Sequence, residues 1–210
     1  MQNQNHLDDI KEYFDSTLKT HGPTPRGVDW NSEEAREARF EQLMKIVQSK
    51  QEFSILDYGC GYGALVEYLR KKAFRFSQFM GYDIAASMIA IAQEKYKNTP
   101  EIAFTTQLEK ISTYDYATAC GVFNMKLNNS YDSWTEFVLH SLAEMNDHSR
   151  LGFSVNFLTK YSNAEKMRDD LYYADPCFLF DYCKTHFSKN VALLHDYDLY
   201  DFTILVRKSG

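Results

Sequence analysis

Apolar residues in the first fifty positions recur at helical spacing. Leu7, Ile10, Tyr13, Phe14 and Leu18 fall on one face and predict a helix over roughly His6–Lys19. The stretch from His21 to Trp30 holds two glycines and two prolines, so it reads as a loop. Ser32 then suits a helix N-cap, because its hydroxyl can accept a first-turn N–H. Glu33 and Glu34 follow at the positive end of the helix dipole. Phe40, Leu43, Met44 and Val47 mark the buried face of that second helix.

From Phe53 the period changes. Short apolar runs at Ser54–Tyr58, Phe79–Asp83, Ile102–Thr105, Tyr116–Cys120 and Leu151–Phe157 predict strands. Between them, Ala64–Lys71, Ser87–Lys97 and Ser133–Met145 read as helices, and Pro176–Phe187 follows with proline in its first turn. The chain ends differently. Val191–His195 and Leu199–Val206 are two strands joined by Asp196-Tyr197-Asp198, a hairpin that forces one strand antiparallel to the rest. The expected fold is therefore α/β, a doubly wound seven-stranded sheet, mostly parallel, with a reversed strand in the C-terminal hairpin.

Composition narrows the partners. A chain of 210 residues suits one domain with a sizeable core. A net charge of −6 and no run of Lys or Arg disfavour a nucleic-acid partner, whose phosphates need a basic face. No stretch approaches the ~18 apolar residues of a membrane span, and the polar Met1–Asp9 segment does not read as a secretory signal. Cys60, Cys120, Cys177 and Cys183 are scattered, as expected of free thiols in the cytoplasm. Cys183 and His186 are spaced like metal ligands, but no second close pair completes a set, and no metal is expected.

The chemistry concentrates in Ile55-Leu56-Asp57-Tyr58-Gly59-Cys60-Gly61-Tyr62-Gly63-Ala64-Leu65. A buried strand runs into glycines at alternate positions, and a helix follows. Glycine allows the tight turn and lets a ligand approach the backbone. Asp83 comes 20 residues after Gly63 at the end of the next strand, where a carboxylate can accept from both ribose hydroxyls. Capping a turn is its other reading. A nicotinamide dinucleotide remains an alternative ligand, since Ala64 permits a G-x-G-x-x-A reading, although the G-x-G-x-G spacing disfavours a pyrophosphate.

The string Leu56-Asp57-Tyr58-Gly59-Cys60-Gly61-Tyr62-Gly63 resembles the first motif of class I S-adenosylmethionine-dependent methyltransferases, hydrophobic-D-x-G-C-G-x-G. Gly81-Tyr82-Asp83-Ile84 and Ser87-Met88-Ile89 continue the likeness, and so does the reversed last strand. The resemblance spans about residues 53–206. It implies a Rossmann-like core over residues 53–210, preceded by a helical cap of the same domain over residues 1–52 that closes on the cofactor. It also implies that Asp57, Gly59, Cys60, Gly61 and Gly63 surround the methionine part of S-adenosylmethionine. Asp83 would hold the ribose, while Ile84, with Met88 nearby, would pack near the adenine. The acidic residue that the family places after the third strand is replaced by Phe104-Thr105-Thr106-Gln107-Leu108-Glu109, leaving Gln107 or Glu109 to meet the adenine amino group. Gly121 and Val122, after the fourth strand, occupy the motif that faces the methyl group.

Such chemistry is direct displacement, in which the protein chiefly orients the acceptor. Asn124, Lys126, Asn156, Tyr172 and Tyr173 are the acceptor-site candidates, each with a plain structural role as the alternative. Asp175 reads first as an N-cap before Pro176, and His186 and His195 as structural or surface residues. In the cap, Tyr13, Trp30 and Arg39 are candidates to reach the pocket, with Arg39 able to fork onto the cofactor carboxylate. The expected activity is methyl transfer to a small molecule. A nicotinamide-dependent oxidoreductase and a non-catalytic cofactor-binding module are the alternatives.

Overall fold

In the computed structural model, which describes residues 2–22, 32–48 and 51–208, the strands are β1 (Phe53–Tyr58), β2 (Phe76–Tyr82), β3 (Ile102–Thr105), β4 (Tyr114–Ala119), β5 (Ser149–Thr159), β6 (Tyr173–Ala174), β7 (Asn190–Leu194) and β8 (Asp201–Arg207). The helices are α1 (Gln2–His21), α2 (Glu33–Met44), α3 (Ala64–Lys71), α4 (Ala86–Tyr96), α5 (Tyr131–Asp147) and α6 (Pro176–His186). Seven strands lie in the order β3-β2-β1-β4-β5-β8-β7. The pairs β2–β3, β1–β2, β1–β4 and β4–β5 are parallel, and β8 runs antiparallel to both β5 and β7. This is the expected doubly wound sheet with its reversed hairpin strand. Among the described residues, no helix is long and apolar enough to cross a membrane.

Two strands run longer than the apolar runs. β5 extends two residues beyond each expected end, because Ser149 pairs with Tyr114 and Thr159 with Ala174. β2 starts three residues early, where Phe76 meets Phe53 while Ser77 and Gln78 stay exposed. The two-residue β6 is too short to leave a periodicity. It lies against the end of β5.

Alternation in the strands sorts the core into two faces. Ile55, Phe79 and Leu205 pack with Leu43, Leu65, Leu69 and Ala92 from α2, α3 and α4. Leu56, Ala117, Phe153 and Val155 pack on the other face with Val138, Leu142 and Leu179 from α5 and α6. The caps follow their chemistry. Ser32 accepts from the Ala35 N–H, and Asp175 accepts from Cys177 and Phe178 ahead of a helix that begins with Pro176. β3 and β4 are joined by a single 3-10 turn at Leu108–Lys110 rather than by an α-helix. α1 lies by α4, where Ser87 hydrogen-bonds Asp15. Ile10 and Leu18 are buried, with half-buried Phe14 between them.

At Gly152 the backbone of β5 leaves no room for a side chain against β8. The Gly152 φ is +146°, and a Cβ there would sit 2.2 Å from the Val206 carbonyl oxygen. Gly152→Ala should therefore destabilise the protein by at least about 2 kcal/mol, the scale of a strained and overpacked core substitution. A thermal or urea unfolding curve equal to wild type would show that the strands can part at no cost.

Candidate functional site

The carboxyl ends of β1 and β2 are locked together through backbone groups. Gly59 N–H and Cys60 N–H both donate to the Tyr82 carbonyl, at 2.7 and 2.9 Å. Asp83 then turns its carboxylate back onto the loop. Oδ2 accepts from Gly61 N–H at 2.8 Å, and Oδ1 from Ala85 N–H at 2.9 Å. Gly59 and Gly61 have φ of 75° and 52°, left-handed values that favour glycine. A Cβ on Gly59 would lie 2.4 Å from a Val122 methyl, so this glycine also keeps the turn against the loop after β4.

A cavity opens over this edge and reaches both faces of the sheet. Successive strand residues point to opposite faces, and Asp57 and Tyr58 line its two sides. On the side of α2 and α3 it is lined by Asp57, Cys60, Arg36, Phe40 and Leu65. On the side of α5 it is lined by Tyr58, Tyr82, Phe137, His140 and Glu144. Gly59, Gly61, Asp83, Ile84, Met88, Gly121 and Val122 complete the wall, and Ile10 and Phe14 of α1 contribute to it as well. Nine of the expected cofactor residues thus meet in one space: Asp57, Gly59, Cys60, Gly61, Asp83, Ile84, Met88, Gly121 and Val122.

Other expected residues stand elsewhere, and each for a local reason. Gly63 is the left-handed N-cap of α3, and its missing side chain leaves room for the Phe104 and Tyr96 rings. Gln107 is exposed after β3, as is Glu109, and neither lines the cavity. Arg39 turns away to Asp201, while Arg36, one turn earlier, reaches the wall. Tyr13 is half-buried edge-on to Phe14 and does not line the cavity. Trp30 lies outside the described residues.

None of the acceptor candidates lines the cavity, and Asn156 alone among them bonds a residue that does. Asn124 accepts from Leu158 N–H through its side chain and from Tyr172 N–H through its carbonyl. Asn156 is fully buried, accepts from Gly121 N–H at 2.7 Å and donates to Asp201 at 3.0 Å. Tyr172 is buried with its hydroxyl 3.0 Å from Thr135 Oγ1, and the Tyr173 hydroxyl accepts from Arg168 N–H. Lys126 donates to the carbonyls of Leu127 and Asn129. His186 and His195 are exposed; His186 stacks on Tyr182, and His195 lies tilted against Tyr161. Arg36, Phe40, Tyr58, Tyr82, His140 and Glu144 were not anticipated from the sequence. The one available signal was the large Tyr58 at the variable place of D-x-G.

The site's electrostatics come from burial. Burial pushes the Asp57 carboxyl up to about 8, the neighbouring Asp83 charge adds to the rise, and the Thr118 hydroxyl opposes it. Burial also raises Asp83, against the pull of its hydrogen bonds from Ala85 and Gly61. Burial drives the Cys60 and Cys120 thiols well above their ordinary range, so neither is a thiolate nucleophile at neutral pH. Arg36 donates to the Tyr62 hydroxyl at 2.8 Å and leaves its Nε buried without a hydrogen-bond partner.

Two outcomes follow for an adenosine ligand whose amino-acid tail carries an ammonium group. Asp83→Asn should weaken S-adenosylhomocysteine binding by at least about 1.5 kcal/mol, the scale of hydrogen bonds to a charged acceptor. An unchanged Kd in the folded variant would remove Asp83 from the site. Bound positive charge favours ionised Asp57, whose carboxyl is raised to about 8 in the free protein. Binding at pH 7 should therefore release protons, and affinity should rise as pH is raised toward that value. Calorimetry in buffers of different ionisation enthalpy reads the release. Its persistence in Asp57→Asn would assign it to another group.

Comparison with known proteins agrees with this geometry. Residues 56–146 match the methyltransferase domain family model. The Mycobacterium tuberculosis (strain ATCC 25618 / H37Rv) protein Rv1506c, which carries a methyltransferase name, is 47% identical over 167 residues, covering 80% of this chain and 100% of the relative. The N-methyltransferase NodS from Bradyrhizobium japonicum, solved with S-adenosyl-L-homocysteine, superposes with a TM-score of 0.65 at 15% identity, over 95% of this chain and 98% of that one. An S-adenosylmethionine-dependent methyltransferase from Clostridium acetobutylicum gives 0.59 at 14% identity, over 97% and 99% of the two chains. Strand order, glycine turn, strand-end carboxylate and sequence relatives converge, and the chain belongs to the class I S-adenosylmethionine-dependent methyltransferases.

Proposed function

We propose that this enzyme methylates a small molecule by direct displacement. The observation that carries the reading is the shape of the site. One cavity takes in the glycine turn, Asp83 and the Cys120–Val122 segment, and α1 adds Ile10 and Phe14 to its wall. An acceptor that meets the methyl group here must fit beneath a helix. The net charge of −6 also favours a compact acceptor over a polyanion. NodS, similar in fold, is itself named an N-methyltransferase.

The residues divide the work by charge. Arg36 has the donors to pair with a carboxylate, and Asp57 and Asp83 carry the matching anions for an ammonium and for ribose hydroxyls. Bound S-adenosylmethionine supplies a methyl group on a positively charged sulfur. The chain's part is to hold the acceptor in line at the Cys120–Gly121 wall and to exclude water. Asn156 fixes that wall by accepting from Gly121 N–H. With both thiols held protonated by burial, the chain offers no cysteine nucleophile there, and the acceptor's own lone pair makes the new bond.

The test is incubation of the full chain with methyl-labelled S-adenosylmethionine and a cell extract, followed by separation by size. Label should appear in the small-molecule fraction and require the enzyme. Label recovered only in protein or RNA would overturn the small-molecule reading.

A further inference from the structure

The two sides of the cavity differ in chemistry, and Asp83 stands between them. The α2–α3 side offers Arg36 and Asp57, which suit a zwitterionic amino-acid tail. The α5 side is walled by aliphatic Ile84 and Val122 and by the rings of Tyr82 and Phe137, apolar surfaces that suit a planar base. Tyr58, His140 and Glu144 bring polar groups to that side. Resting on the cofactor reading above, we propose that Glu144 on α5, oriented by the Tyr58 hydroxyl, recognises the exocyclic amino group of adenine.

The geometry makes Glu144 an acceptor with a fixed direction. The Tyr58 hydroxyl donates to Glu144 Oε2 at 2.8 Å and lies 3.3 Å from Ser141 Oγ. Burial and the Glu144 charge keep that hydroxyl protonated, so it acts as the donor. Glu144 Oε1 stands 3.5 Å from His140 Nε2. An ionised carboxylate accepts hydrogen bonds and donates none. It therefore favours a base with an amino group and repels one with a carbonyl at the same place. Gln107 and Glu109, which the sequence offered for this task, are exposed outside the cavity. The 3-10 turn that replaces a helix between β3 and β4 precedes this face, and α5 supplies the carboxylate from the other side of β4.

The experiment is calorimetric binding to the full chain, comparing S-adenosylhomocysteine with its deaminated analogue, S-inosylhomocysteine. Wild type should prefer the adenine form by roughly tenfold or more, the scale of one hydrogen bond to a charged group. Glu144→Leu should lose most of that preference, chiefly by weakening the adenine form. The variant should fold, because the Tyr58 hydroxyl keeps Ser141 as a partner. Glu144→Gln retains an acceptor and should restore part of the preference. Tyr58→Phe should fall between wild type and Glu144→Leu. An unchanged ratio in folded Glu144→Leu would overturn the proposal. A ratio that collapses instead in Glu109→Leu or Gln107→Leu would also overturn it and move recognition to the turn after β3. Failure of the wild type to bind either ligand would overturn the cofactor reading itself, a result distinct from loss of discrimination alone.

Discussion

The site depends on one carboxylate being used twice. Asp83 accepts from Gly61 N–H and Ala85 N–H, and so holds the glycine turn against the start of α4. Each oxygen still has a lone pair for a ligand. The Tyr82 carbonyl, which accepts from Gly59 and Cys60 N–H, also secures the loop after β1 to β2. Burial opposes the charge, and the two amides offset part of that penalty before any ligand arrives. The arrangement is pre-organised, with the acceptor aimed and the glycine backbone shaped in the free protein.

A second polar chain ties α2 to the opposite wall. Arg39 on α2 donates to the fully buried side chain of Asp201 at 2.6 Å, Asp201 accepts from Asn156, and Asn156 accepts from Gly121 N–H. A buried carboxylate without its arginine would be strongly unfavourable. α2 is thus coupled to the loop after β4 through Arg39, Asp201 and Asn156, which do not line the cavity. This explains why Asn156, a polar residue inside an apolar strand, looked functional in the sequence: burial forces such a group to find partners.

The local features were legible because they are written over few residues. The β–α alternation, the glycine turn with Asp83, the Ser32 and Asp175 caps and the reversed hairpin each follow from short-range pattern and backbone rules. What was hidden depends on distance and rotation. Arg36 and Arg39 lie three positions apart on one helix, and only the packing of α2 decides which faces the cavity. Tyr58 and Glu144 are separated by 86 residues and meet because β1 and α5 share a face of the sheet. Tyr172 precedes a strand of two residues, which no hydrophobic period could announce.

α1 has a consequence for time rather than affinity. Ile10 and Leu18 are shielded from water, and Phe14 half so; Ile10 and Phe14 line the cavity, and Leu18 packs with Ala85 and Met88 at the start of α4. Were a nucleoside held behind that helix, its exchange with solvent would require the apolar stripe to let go. The residence of spent cofactor would then be governed by detachment of a helix, a step that adds no contact to either ligand. Such a cover would shield a reactive sulfonium from water and slow turnover. Its tempo would be set by three aliphatic and aromatic side chains, two of which pack beside Tyr62 and Ala64 of the glycine motif.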